Sequence, residues 1–377
     1  MNFDRLTMKE LSFSEALSLY ENASLEELRN MADAARYSHI PQKRVSWQID
    51  RNVNITNACI SGCRFCNFHC KPKEKEKIFV TTLDQYRTKI VEMRSLGGDQ
   101  LLLQGGLHPD LDIDYYETLF RELKKIEPSL KLNALGPPEI AFISRISGIS
   151  CEETLRRLYD AGLDSLPGAG AEILSDRVRK IISPGKPTAA QWCSVMEIAH
   201  KMGIGTTATM VYGHVETMEE RIAHLFTIRD LQSRKPEGTS GFRAFISWPM
   251  QLKGTRLAAM MEERGLQLPR IAYGWSEKEE FLRTIAISRI VLHNITHIQA
   301  SWLTVGIETG KKALHYGADD MGSIMIEENV VSAAGVSNTI TAEGMHQAIR
   351  EAGFEPWLRR QDYSPVDPSK LRNQLIS

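Results

Sequence analysis

Cysteine is scarce in this chain, six in 377 residues, and aromatic side chains make up only 7%. So few cysteines over that length exclude a disulfide-built scaffold, since a chain of this size buries its own core. No apolar run approaches the roughly 20 residues of a spanning helix, so no membrane partner is expected. The opening "MNFDRLTMKELSF" lacks the apolar centre of a signal peptide. An excess of one charge is missing as well: 46 basic and 47 acidic side chains leave a formal charge of -1. That balance argues against a broad nucleic-acid or anionic-membrane surface and leaves small molecules as the expected partners. The expected setting is the cytosol, where thiols stay reduced and clustered cysteines signal metal or catalysis.

What is present is a repeating unit: a short apolar run, a polar or glycine-rich break, then a helix. The runs are 53–56, 100–104, 131–135, 163–166, 205–211, 242–248, 297–302 and 317–321. Capping boxes announce helices at Ser24 with Glu27, Thr82 with Gln85, Ser150 with Glu153, Thr188 with Gln191, Thr217 with Glu220 and Ser276 with Glu279. Glycines 97, 162, 203 and 353 mark helix ends. Eight strands alternating with helices predict an α/β fold, a (β/α)8 TIM-type barrel over 47–354. An N-terminal helical extension (1–46) precedes it, and an extended, partly mobile C-terminal tail (355–377) follows. A doubly wound open sheet is the alternative, because periodicity counts units without showing closure. "QGG", "GPPE", "PGAGAE", "YGHVE", "WPMQ", "WLT" and "DDMGS" follow the later runs directly, where a barrel keeps its active site.

After the first run comes "ITNACISGCRFCNFHC", residues 55–70, with four of the six cysteines. Cys59, Cys63 and Cys66 are spaced C-x3-C-x2-C, with Phe65 before the third. Three thiolates can hold three irons of a 4Fe-4S cube and leave the fourth open to a small molecule. A zinc knuckle completed by Cys70 or His69 is the competing reading, as part of a zinc-stabilised binding protein or a zinc hydrolase. Cys70 is expected not to ligate, and Cys151 and Cys193, alone in helices, read as apolar fillers.

Other strand ends carry candidates. Glu172 stands at a helix start, where a carboxylate can accept ribose hydroxyls or serve the helix dipole. His214 and Glu216, two apart after the fifth run, project to one side if the chain is extended, with Glu orienting His for proton transfer or substrate contact. Asp319, beside Asp320, can bind hydroxyls or a cation. Gln251, Gln299, Ser301 and Thr304 are plausible substrate contacts.

The C-x3-C-x-aromatic-C loop heading a βα array resembles the radical S-adenosylmethionine superfamily. "LLLQGGLHPDLDIDYYE", "PGAGAEILSDRVR", "TTATMVYGHVET" and "GADDMGSIMIEENVVSAAG" extend the likeness along nearly the whole chain. They resemble the branch serving the futalosine route to menaquinone and the deazaflavin chromophore. The resemblance implies a 4Fe-4S cluster on Cys59, Cys63 and Cys66, with S-adenosyl-L-methionine as a consumed cosubstrate. It places Phe65 near the adenine and Gln104, Gly105 and Gly106 against the methionine, and favours Glu172 at the ribose. It also implies a nucleoside-derived substrate bearing an aryl carboxylate, cyclised after hydrogen abstraction from C4', and an electron donor such as flavodoxin or ferredoxin. Two positions depart from the expected pattern: Ala169 where glycine is expected, and Asn133 near an expected histidine.

Overall fold

Short parallel strands and helices alternate from Arg44 to Leu358 in the computed structural model. It describes residues 10–366 except 328, 330, 331, 336 and 337. The strands are β1 (Arg44–Gln48), β2 (Asp50–Asn54), β3 (Gln100–Gln104), β4 (Lys131–Ala134), β5 (Ser165–Leu166), β6 (Gly205–Tyr212), β7 (Phe242–Pro249), β8 (His297–Gln299), β9 (Asp320–Ser323) and β10 (Glu355–Leu358). They pair in the order β10-β1-β9-β8-β7-β6-β5-β4-β3-β2. The ends of that order meet, because β1 and β2 are two halves of one segment separated only by Ile49. β1 pairs with β9 while β2 pairs with β3, all in parallel. Eight staves therefore surround a lumen, as the alternation predicts, and β10 is a further strand beside β1.

Along 47–54 the side chains alternate as a strand requires. Gln48, Asp50, Asn52 and Asn54 line the lumen, while Trp47, Ile49 and Val53 join the core between sheet and helices. β6 is buried at all eight positions, as befits a stave covered on both faces. Six of the eight predicted runs coincide with β3 to β8. The first stave begins nine residues before the predicted run at 53, and β9 sits slightly later than the predicted 317–321.

The N-terminal extension is two helices, Phe13–Asn22 and Leu25–His39. Tyr20 of the first donates or accepts a hydrogen bond with Thr284 at 2.9 Å, tying it to the barrel's outer helices. Full capping boxes form at Ser24, Thr82, Thr188 and Thr217, and one more at Ser12 with Glu15. At Ser150 and Ser276 only the backbone half forms, because Glu153 turns to Arg156 and Glu279 to Arg283.

The predicted tail is corrected over 355–366. Glu355–Leu358 is β10, paired with β1, and the following turn lies against the strands' amino ends. Arg360 pairs with Asp99 at 3.3 Å and Gln361 accepts from Gln100 at 3.3 Å. The remainder of the predicted tail, 367–377, lies outside the described residues.

Candidate active site

A cavity of about 440 Å³ occupies the lumen and reaches the cysteine loop. Cys59, Cys63 and Cys66 all line it. The loop is held by its neighbours' backbones: Arg64 N–H donates to Ile182 at 2.8 Å, Gly185 N–H to Ser61 at 3.0 Å and Leu257 N–H to Arg64 at 2.8 Å. Ser61 Oγ lies 2.9 Å from Cys59 Sγ and 3.3 Å from Cys63 Sγ. Burial pushes the Cys63 thiol up to about 11, partly offset by the Lys186 charge. The thiolate therefore needs a cationic partner. Cys70 does not line the cavity. Its backbone closes the loop, donating to Asn57 at 2.8 Å and accepting from Cys59 at 2.9 Å. All six cysteines are free thiols, and Cys151 and Cys193 pack against the core.

Among the described residues no three His, Cys, Asp or Glu side chains converge as ligands of a single ion. A mononuclear zinc knuckle needs such convergence. A cube does not, since each cysteine ligates a different iron.

Next to the thiols, Lys186 Nζ sits 5.4 Å from the centre of the Phe65 ring and pairs with Glu172 Oε1. Burial alone would raise the Glu172 carboxyl, but Lys186 and Arg179 outweigh it and hold it below the usual range. Glu172 has a φ of 43°, a left-handed backbone that aims its carboxylate inward at a conformational cost. Gln104, Gly105 and Gly106 also line the cavity. At Gly106 a Cβ would lie 2.0 Å from the Ala58 carbonyl oxygen, so this glycine is required first by the cysteine loop packed on it. Ala169 is accommodated because its side chain faces Gly136, where a Cβ would come within 2.8 Å of it. Asn133 lines the cavity and accepts from Ser165 Oγ at 2.9 Å.

Three predicted catalytic residues stand elsewhere. His214 and Glu216 are fully buried outside the cavity lining. Glu216 does orient His214, as expected: His214 Nδ1 lies 2.8 Å from Glu216 Oε2 and 2.8 Å from the Val215 nitrogen, and Nε2 lies 3.1 Å from the Val211 carbonyl. Glu216 accepts from the Gly213 and His214 N–H groups and from Arg221 at 2.8 Å, and Arg221 goes on to Glu280 at 2.6 Å and Tyr20 at 2.8 Å. The strand turns after Tyr212, so the side chains point away from the lumen into a network anchoring the fifth stave's loop to the outer helices. Asp319 is likewise behind the wall, bonded to Arg289, to Ile298 N–H at 2.8 Å and to His297 at 2.5 Å. Asp320 pairs with Arg359 at 2.5 Å. Gln251, Gln299, Ser301 and Thr304 do line the cavity.

The lining includes residues that sequence reasoning passed over: Lys186, Glu139, Asp50, Arg359 and Tyr363. Glu139, on the first turn of the helix after β4, is raised to about 7 by burial, partly offset by backbone N–H donors and Lys186.

A family model for the radical SAM superfamily matches residues 53–228, and one for the CofH/MqnC C-terminal region matches 239–371. A cyclic dehypoxanthine futalosine synthase of Streptomyces coelicolor is 44% identical over 93% of this chain and 84% of its own length. The chain belongs to the CofH/MqnC branch of the radical SAM superfamily. A 5-amino-6-(D-ribitylamino)uracil--L-tyrosine 4-hydroxyphenyl transferase of Methanosarcina barkeri is 37% identical, over 94% and 88% of the two chains. The crystal structure of methylornithine synthase superimposes with a TM-score of 0.66 at 15% identity, covering 99% of each chain, a likeness of fold. As a radical SAM protein the chain is an enzyme whose cofactors are a 4Fe-4S cluster and S-adenosyl-L-methionine. The donor set suits them: three thiols at one end of a cavity, an aromatic face, glycine-lined backbone and a buried carboxylate beside it. No helix among the described residues is long and apolar enough to cross a membrane.

Proposed function

We propose that this enzyme cyclises dehypoxanthine futalosine to its cyclic product on the futalosine route to menaquinone, acting in the cytosol. The observation that carries the reading is one continuous cavity joining the three cysteines to a lumen walled by Gln48, Asn52, Asn54, Thr207, Thr209 and Gln299. The high identity of a synthase of that name supports it. When bound, the cluster and S-adenosyl-L-methionine supply a 5'-deoxyadenosyl radical, after a priming electron from a carrier of the flavodoxin or ferredoxin class.

Cys59, Cys63 and Cys66 hold the cluster. Phe65 packs against the adenine, the Gln104–Gly106 backbone faces the methionine, and Glu172, kept ionised by Lys186, accepts the ribose hydroxyls. The substrate loses a hydrogen atom from C4', a bond forms from that carbon to the aryl ring, and rearomatisation releases one proton and one electron. The hydrogen atom ends on 5'-deoxyadenosine and the released electron replaces the priming one, so S-adenosyl-L-methionine, cleaved to methionine and 5'-deoxyadenosine, is the net two-electron oxidant of the cyclisation.

With His214 behind the wall, the proton acceptor we assign is Glu139, a cavity carboxyl at about 7 and so titrating at the working pH. Lumen walls that exclude water protect the radical from quenching. The test is an anaerobic assay with reductant, S-adenosyl-L-methionine and the nucleoside, following 5'-deoxyadenosine and cyclised product. Cleavage without cyclised product would remove this substrate and leave the cofactor chemistry standing.

A further inference from the structure

Among the described residues two permanent cations line the cavity, Lys186 near the thiols and Arg359 at the other end. Lys186 is committed to Glu172. Arg359 is brought in by β10, which pairs Leu358 with Trp47 and so sets Arg359 beside Gln48 at the amino half of the first stave. From Gln48 to Asn54, where the cysteine loop begins, the strand rises about 20 Å. The two cations therefore mark opposite ends of the lumen.

The guanidinium of Arg359 is fixed along one edge and free along another. Nε donates to Asp320 Oδ2 at 2.5 Å, and Nη1 donates to Gln48 Oε1 at 2.6 Å and to the Arg360 carbonyl at 3.2 Å. Tyr363 lies flat beneath it, with the ring centre 4.0 Å from Cζ, and is itself stacked on His297 at 3.6 Å. Nη2 has no hydrogen-bond partner among the described residues. A buried guanidinium held rigid by a carboxylate, an amide and an aromatic face, with one donor edge open to a cavity, fits a planar oxyanion.

We infer that Arg359 is a specificity-determining residue that holds the substrate's carboxylate at the floor of the lumen. The inference rests on the proposed reading, in which the substrate is a ribose joined to an aryl carboxylate. With the carboxylate on Arg359, the ribose end extends toward the thiols, where the hydrogen is taken. Asp320 takes the Nε edge of Arg359, and the carboxyl that lines this end, Asp50, has its oxygens taken by Ser323, Gln48 at 3.0 Å and Gln100 at 3.2 Å. Burial raises the Asp50 carboxyl, partly offset by the Ser323 and Gln100 donors and by the Arg359 charge.

The experiment measures binding and turnover of dehypoxanthine futalosine and of its carboxamide analogue by the reconstituted holoenzyme. Arg359→Gln is expected to weaken the acid roughly thirty-fold, the loss of one charge-assisted hydrogen-bonded contact, while leaving the carboxamide and S-adenosyl-L-methionine within about two-fold. Because Arg359→Gln strands Asp320 in the wall, the double variant Arg359→Gln with Asp320→Asn removes the pair together and should show the same acid-selective loss. Wild-type affinity for the acid in a folded variant, or equal loss of acid and amide, overturns the inference while the proposed function stands. A wild-type enzyme that neither binds nor cyclises the acid overturns both.

Discussion

Cys59, Cys63 and Cys66 line the cavity while Cys70 spends its backbone and thiol on the loop's own closure. Cys59→Ala, Cys63→Ala or Cys66→Ala should each abolish 5'-deoxyadenosine formation and the iron-sulfide absorbance. Cys70→Ala should retain both, and iron and sulfide analysis of the four proteins checks this. The cysteine spacing made that site legible in sequence. His214 and Glu216 were misleading, because an H-x-E pair after a strand looks alike whether it faces lumen or wall; the sequence carries no marker of where a strand turns. Since Glu216 is a fully buried member of an ion network, Glu216→Ala should cost about 3–5 kcal/mol in urea unfolding and leave the ratio of product to 5'-deoxyadenosine unchanged.

Glu139 titrates with the opposite sign from most carboxylates. Its pKa of about 7 in the folded protein lies above the ordinary glutamate value of about 4.5, so the unfolded chain sheds the proton first. Stability therefore falls as pH rises from about 4.5 to about 7. In the cofactor-free protein Glu139→Gln should flatten that decline and raise stability at pH 8 by about 2–3 kcal/mol in chemical unfolding. In the holoenzyme it should cut cyclised product at least about a hundred-fold with 5'-deoxyadenosine preserved. Parallel loss of both would move Glu139 to cofactor binding.

At the scale of elements, β3 to β8 could be read from apolar runs because each is bounded by a break and a helix cap. β1 and β2 were obscured by their own function. A lumen-facing stave reads Gln48-Ile49-Asp50-Arg51-Asn52-Val53-Asn54, polar where it faces the cavity, and a search for apolar runs sees only its end. The alternation of polar with apolar residues, interrupted at Arg51, was the available signal. β10 was hidden for another reason: Glu355–Leu358 is half-exposed and short, and its identity as a strand comes from the partner β1 rather than from its own composition. Ending the chain after Leu358 removes Arg359 and Tyr363 from the floor. Such a protein should still cleave S-adenosyl-L-methionine but release 5'-deoxyadenosine largely uncoupled from product, as quantified by chromatography of both.

The whole molecule is a ring of unequal joints. β6 and β7 share seven residue pairs, with one shift of register after Thr206, whereas β4 with β5 and β8 with β9 share one each. Amide exchange should therefore be slowest in β6 and β7 and fastest among strand amides at those two thin seams, since local opening follows the number of bonds that must break together. Seam protection equal to β6 would contradict this. The closed ring was legible only as a count of units. That it closes at Ile49, one segment serving β9 with its first half and β3 with its second, is a matter of register that no local pattern encodes.

Arg359 and Tyr363 follow every stave in the chain, and a nascent polypeptide emerges amino end first. The polar end of the lumen, where Gln48 and Gln100 sit, therefore gains its covering residues only after the last stave has been made.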